Sequence, residues 1–146
     1  MSVAKTLVEA ALLIISIVAF KPPINTRVYY LVGKKIGKQE ILSQFRTAIF
    51  KISEAIQASN ATAAASGVFD LAKMIYEVGI IQIIFDAIIS ELDFWDVALF
   101  VATSIPQILA FILSGGAAAI AKIAVVVLNT VSFTLSVLET VETCDI

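Results

Sequence analysis

The spacing of apolar residues predicts helices along most of the chain. Residues 38–60 show it most clearly, because apolar side chains recur there every three or four positions, as on one face of a helix. These positions are Ile41, Phe45, Ile49, Ile52 and Ile56. Residues 68–92 repeat the pattern with a narrower polar stripe. We therefore predict two long amphipathic helices within residues 38–92.

The N-terminal stretch is more uniformly apolar than an amphipathic helix. Ala10 to Phe20 is an uncharged run, and Pro22 and Pro23 follow it and must end a helix. Eleven uncharged residues are too few to span a bilayer, which needs about 20. Residues 1–20 are thus predicted as a short apolar helix, either buried or inserted in a membrane.

The C-terminal third contains the longest charge-free segment, residues 97–121. At about 1.5 Å per residue, its 25 residues would reach roughly 37 Å, enough to cross a bilayer, although Pro106 would kink it. The sequence Ser114-Gly115-Gly116 favours a turn. Residues 96–141 are therefore predicted as a strongly apolar helical hairpin.

Between the first two helical regions lies a basic segment, residues 21–37. Arg27 to Val32 is rich in β-branched and aromatic residues, which indicates a short strand or an irregular loop. Lys34 and Lys35 lie in a glycine-flanked turn. We interpret residues 21–37 as a basic connector. The whole chain, residues 1–146, is then one all-α domain of four or five helices, embedded in a membrane or buried in an assembly.

Composition sharpens this picture. Of the 146 residues, 60% are hydrophobic and 15% are charged, where a soluble domain carries about 25% charged residues. The mean hydropathy is +0.98. These values exclude intrinsic disorder, and they leave too few polar residues to cover a small domain. Part of the apolar surface must therefore meet lipid or another protein.

The charges are strongly polarised along the chain. Residues 21–54 carry a net charge of +5, whereas residues 55–146 carry −7. A basic region of this kind suits anionic lipid or nucleic acid, and in a membrane protein it would face the cytoplasm. The candidate contact residues are Arg27, Tyr29, Tyr30, Lys34, Lys35 and Lys38.

The sequence lacks the residues of common catalytic sites. Histidine is absent and Cys144 is the single cysteine, so no intrachain disulfide or CxxC motif exists. No nucleotide-binding, nucleophile-elbow or zinc-protease motif is present. We therefore expect a protein that is not an enzyme and that needs no cofactor, metal or small-molecule substrate.

The apolar hairpin offers three further expectations. Asp93 or Asp96 can cap its first helix, and Trp95 would anchor that helix at a membrane interface. Asp86 and Lys122 are candidate buried charges, which could pair with each other unless Lys122 extends to the surface. Small residues allow close packing of helices at Gly115, Gly116, Ala117 and Ala121.

Two functional hypotheses follow. The first is a non-catalytic structural subunit that packs with itself or with other subunits into a membrane complex, or into a self-assembling shell or filament such as a viral coat or a pilus. The alternative is a membrane-permeabilising protein, holin-like or toxin-like. Amphipathic helices around an apolar hairpin resemble colicin-type pore-forming domains in architecture. We expect a membrane location, with a virion or extracellular assembly as the alternative; lipid is the expected partner, and nucleic acid a further one through residues 21–54.

Overall fold

The computed structural model describes residues 2–19, 24–36 and 39–143, and all regular structure in these ranges is helical. The all-α prediction is confirmed, with eight helices in the described ranges rather than four or five. The helices are α1 (Ser2–Val18), α2 (Arg27–Ile36), α3 (Gln39–Gln57), α4 (Ala61–Glu77), α5 (Ile80–Ser90), α6 (Phe94–Ile112), α7 (Ala117–Val126) and α8 (Val131–Thr143).

Helix α1 forms the centre of the bundle. Apart from Lys5, every side chain from Val3 to Ile15 is buried. The helix contacts α2, α4, α6 and α8, with its most extensive contacts to α8. The predicted N-terminal apolar helix is therefore buried by protein, and this removal of apolar surface from water is the main stabilising contribution.

The prediction of a strand or loop at Arg27 to Val32 is wrong, because Arg27–Ile36 is a helix. Val28, Val32 and Ile36 are buried at intervals of four residues, on the side of α2 that packs against α1 and α5. This burial outweighs the β propensity of the individual residues. The Asn25 side chain supports the start of the helix by accepting a hydrogen bond from the Arg27 backbone N–H at 2.9 Å.

Residues 38–92 contain three helices instead of the predicted two. Phe45, Ile49 and Ile52 of α3 are buried, as the apolar spacing predicts; the Ile41 side chain lies outside the described part of the structure. The second predicted helix is divided at Gly79, whose φ of 82° is left-handed. Glycine adopts this conformation without steric strain, so α4 ends there and α5 begins.

The predicted apolar hairpin is wrong in its packing. Helix α7 packs chiefly against α4, burying Ala119 and Ile123, instead of lying along α6. The turn before it contains Gly115 and Gly116 with φ of 93° and 106°. The second arm is itself broken, because residues 117–129 and 131–142 meet at an angle of 82°.

Helices α3 and α4 approach each other closely at Gly67. A β-carbon built on Gly67 would lie 2.6 Å from Cγ1 of Ile52, which is fully buried. A side chain larger than hydrogen at this position therefore forces the two helices apart or Ile52 out of its place.

We predict that Gly67→Ala lowers the free energy of unfolding by about 1–3 kcal/mol, because of this overlap. In an Ile52→Ala background the overlapping atom is gone, and Gly67→Ala should then be neutral or stabilising by up to about 1 kcal/mol, since alanine favours helix. Denaturant unfolding of the four proteins in this double-mutant cycle measures the difference. Equal effects of Gly67→Ala in both backgrounds would contradict the close approach.

Candidate functional site

The interior of the bundle contains a buried carboxylate on α1. Glu9 is 4% exposed and accepts a hydrogen bond from the Tyr29 hydroxyl of α2. Its second oxygen accepts one from the Ser132 hydroxyl of α8 at 3.1 Å. Because a buried carboxylate must be hydrogen-bonded to be tolerated, Glu9 fixes the positions of α2 and α8 around α1.

One turn earlier, α1 carries a second polar group, Thr6. Its hydroxyl donates to the Ser136 backbone carbonyl at 3.1 Å and lies 2.8 Å from the hydroxyls of both Ser136 and Thr140. Thr6 and Thr140 are fully buried, so solvent and substrate have no access to this cluster. The cluster holds α1 against α8 through buried hydrogen bonds.

The side chain of Tyr29, one of the candidate surface contacts, points inward to Glu9. Burial raises the pKa of the Tyr29 phenol, and the hydrogen bond and negative charge of Glu9 raise it further. The Lys5 ammonium lies 5.8 Å from the centre of the Tyr29 ring, a cation–π arrangement. Tyr29 therefore joins α1 to α2.

The remaining described candidates on α2 share its outer face. Arg27, Tyr30, Lys34 and Lys35 are all exposed, at helical spacing. Lys38 lies outside the described residues. Arg27 also pairs with Glu91 at the end of α5, with 3.5 Å between Nε and Oε2. The basic face of α2, which we define as these four residues, thus begins beside the segment that leads into α6.

Helix α6 has one face inside the bundle and one outside. The inward residues recur every three or four positions and are Phe100, Ser104, Ile108 and Phe111. Phe100 stacks edge-on against Phe85 of α5 at 5.8 Å between ring centres, and Phe111 against Phe69 of α4 at 6.4 Å. The outer face of α6 is exposed and comprises Phe94, Trp95, Ala98, Leu99, Val101, Ala102, Thr103, Pro106, Gln107 and Ala110.

The first six residues of α6 extend from the bundle. None of Phe94–Leu99 is buried. Phe94 and Trp95 are 77% and 76% exposed, and their rings pack edge-on against each other at 5.6 Å. Asp93 caps the helix as predicted, accepting a hydrogen bond from the Asp96 backbone N–H at 2.9 Å. An exposed aromatic pair at a helix end marks an interaction surface.

Helix α6 is long and apolar enough to cross a membrane. Its 19 residues extend over about 28 Å, close to the thickness of a bilayer's hydrocarbon core. Only 28% of the span is buried in the bundle. The helix continues past Pro106 because a π-helical turn at Phe100–Ser104 absorbs the missing backbone hydrogen bond.

The other predicted site residues are distributed differently. Asp86 and Lys122 are both exposed, so the expectation of buried charges is wrong; Asp86 accepts a hydrogen bond from Gln82 at 2.9 Å. Gly115 and Gly116 shape a turn, while Ala117 and Ala121 are exposed and leave the packing to their neighbours. Cys144 lies outside the described residues.

The sequence interpretation missed most of the outer face of α6. It also missed exposed apolar residues on α7 and α8, namely Val125, Val131 and Leu135. In a segment without charges, hydropathy cannot distinguish an inward from an outward face. Within the described residues, no group of three or more acidic or cysteine side chains could hold a metal ion.

Comparison with protein-family models, with curated proteins and with solved structures finds no match to this chain.

We predict that Tyr29→Phe lowers the free energy of unfolding at neutral pH by about 1–3 kcal/mol, because the buried Glu9 loses a donor. Tyr30→Phe, an exposed neighbour, is the matched control and should change little.

The pKa of Tyr29 is raised on folding, so the contribution of its hydroxyl to stability is complete below about pH 10 and is lost as the pH rises further. Wild type should therefore show a steeper loss of stability above pH 10 than Tyr29→Phe. Denaturant unfolding across this range measures both effects, and equal curves would contradict the buried pair.

Proposed function

We propose that this protein is a non-catalytic structural subunit of a membrane complex, held in the bilayer by α6. The observation that carries the proposal is the outer face of α6, which contains no charged residue and is exposed on a folded bundle. The one charged residue of this helix is Asp96, half-buried in its first turn. Lipid would remove this surface from water while leaving the core intact.

The energetics favour an apolar environment for this face. Burying one large apolar side chain contributes about 1.5–3 kcal/mol. Phe94, Trp95 and Leu99 are each more than half exposed, so transferring α6 into lipid stabilises the protein by several kcal/mol. An unoccupied face of this size would make the protein associate nonspecifically in water.

The charge distribution favours lipid as the partner. Glu91, which binds Arg27, precedes Phe94 by three residues and so lies within about 11 Å of it. Arg27, the first residue of the basic face of α2, thus lies near the aromatic end of α6. Tryptophan concentrates at membrane interfaces, and each basic residue there contributes about 1 kcal/mol with anionic lipids. Nucleic acid would use the basic face but gain nothing from the apolar one.

Trp95 is the only tryptophan of the chain, so its fluorescence reports directly on this surface. We expect the full-length protein to float with vesicles, with a blue shift of Trp95 emission. Ala102→Lys places a charge near the middle of the outer face, where lysine is unfavourable by about 2.5–3.5 kcal/mol in a bilayer. This variant should lower vesicle binding at least tenfold. The control Thr62→Lys, at an exposed position of α4, should bind normally. Lipid-free sedimentation of wild type as dense particles would indicate a protein shell instead.

The basic face makes a separate prediction. Replacing Lys34 and Lys35 together with alanine should weaken binding to anionic vesicles by about 10- to 30-fold, from about 1 kcal/mol per charge. Binding to zwitterionic vesicles should not change, and Lys73→Ala of α4 serves as the matched control. Co-sedimentation at two salt concentrations measures the effect. If the double variant loses binding to duplex DNA and retains anionic vesicles, the basic face serves nucleic acid.

Membrane permeabilisation is the second candidate, and the bent pair of α7 and α8 favours it. Residues 117–129 and 131–142 together are apolar enough for a broken span or a re-entrant loop. They expose Val125, Val131 and Leu135 on the same part of the chain. A second inserted element beside α6 is what a pore would need.

Leakage of a trapped dye separates the two candidates. A structural subunit should bind vesicles completely while releasing less than about a tenth of their contents. Release that rises with bound protein, and that Ala102→Lys abolishes, would favour permeabilisation. Thr62→Lys again controls for a general effect of added charge.

A further inference from the structure

A groove lies between the C-terminal end of α1, the second half of α6, and α7. Its volume is about 470 Å³, within the range of small-molecule sites. Phe111 and Ala119 are buried and form its base, and Phe69 supports Phe111 from behind. Alanines 110, 118 and 119 create the space, because larger side chains at these positions would fill it.

The lining of the groove is divided by polarity. Ile17, Val18 and the alanines supply apolar walls along its length, while Gln107, Ser114 and Lys122 are its polar members. Such a division suits an amphiphile with an extended apolar chain and one polar end.

Lys122 determines the sign of that polar end. It is the only charged residue between positions 97 and 138, and it is exposed. Within the described part of the chain, no ion pair involves Lys122. A lysine ammonium beside an apolar groove attracts an anionic head group, to which it can also donate hydrogen bonds.

We propose that this groove binds one long-chain fatty carboxylate, with its acyl chain over Phe111 and the alanines and its carboxylate at Lys122. Each methylene removed from water raises affinity about fourfold, so the chain supplies most of the affinity and Lys122 the head-group preference. The groove shares Gln107 and Ala110 with the outer face of α6 but excludes Phe94 and Trp95, and the proposal does not rest on membrane insertion.

The test uses photoactivatable palmitate with the full-length protein, followed by mass spectrometry of the labelled peptides. We expect label at the groove, competed by palmitate at a concentration at least threefold lower than hexadecanol. Ala118→Leu fills the groove and should abolish this label. Ala121→Leu, on the same helix outside the groove, should leave it unchanged. Lys122→Ala should weaken competition by palmitate about three- to fivefold, as expected for an exposed charge pair.

Three results would overturn the proposal: equal labelling of Ala118→Leu and wild type, equal competition by palmitate and hexadecanol in wild type, or preferential labelling by a photoactivatable phospholipid. The last would identify a membrane lipid as the occupant.

Circular dichroism confirms that each variant is folded. Vesicle flotation of Ala118→Leu separates the two proposals, because a blocked groove should leave membrane binding intact, while a failure of wild type to float leaves the labelling result unaffected.

Discussion

The enclosure of α1 is the constraint on which the other helices depend. An apolar helix that also carries Thr6 and Glu9 is stable only if neighbours bury it and supply hydrogen bonds at two fixed places. Tyr29 of α2 donates one hydrogen bond to Glu9. The others come from α8, where Ser132 donates to Glu9 and the following turns bind Thr6. Hydrophobic burial would tolerate several rotations of α1, but the two polar groups select one.

Filling the interior with α1 leaves α6 at the periphery. A bundle of this size has room to enclose one helix on all sides, and α1 occupies that place. Helix α6 therefore buries only the face that carries Phe100 and Phe111, and presents its other apolar residues outward. Part of the excess of apolar residues in the composition thus becomes a defined surface on one helix.

Local patterns predicted helices along most of the chain, but not how the apolar helices pack. The spacing of Phe45, Ile49 and Ile52 identified the buried face of α3, and Asp93 was recognisable as a cap. Which apolar helix is central depends on tertiary packing, which periodicity does not encode. Helix α2 was missed because its β-branched and aromatic residues favour a strand, whereas contacts with α1 and α5 decide its conformation. The described candidates on α2 share a face, except Tyr29, whose partner Glu9 is 20 residues away.

The hydroxyl cluster that joins α1 to α8 has a consequence for biosynthesis. Thr6 and Ser136 are separated by 130 positions, so α1 leaves the ribosome well before its partner helix is made. During that interval an apolar segment with an unsatisfied threonine and carboxylate lacks its partner helix, and segments of this kind are prone to aggregate. The completion of the core of this chain therefore waits for its last helix.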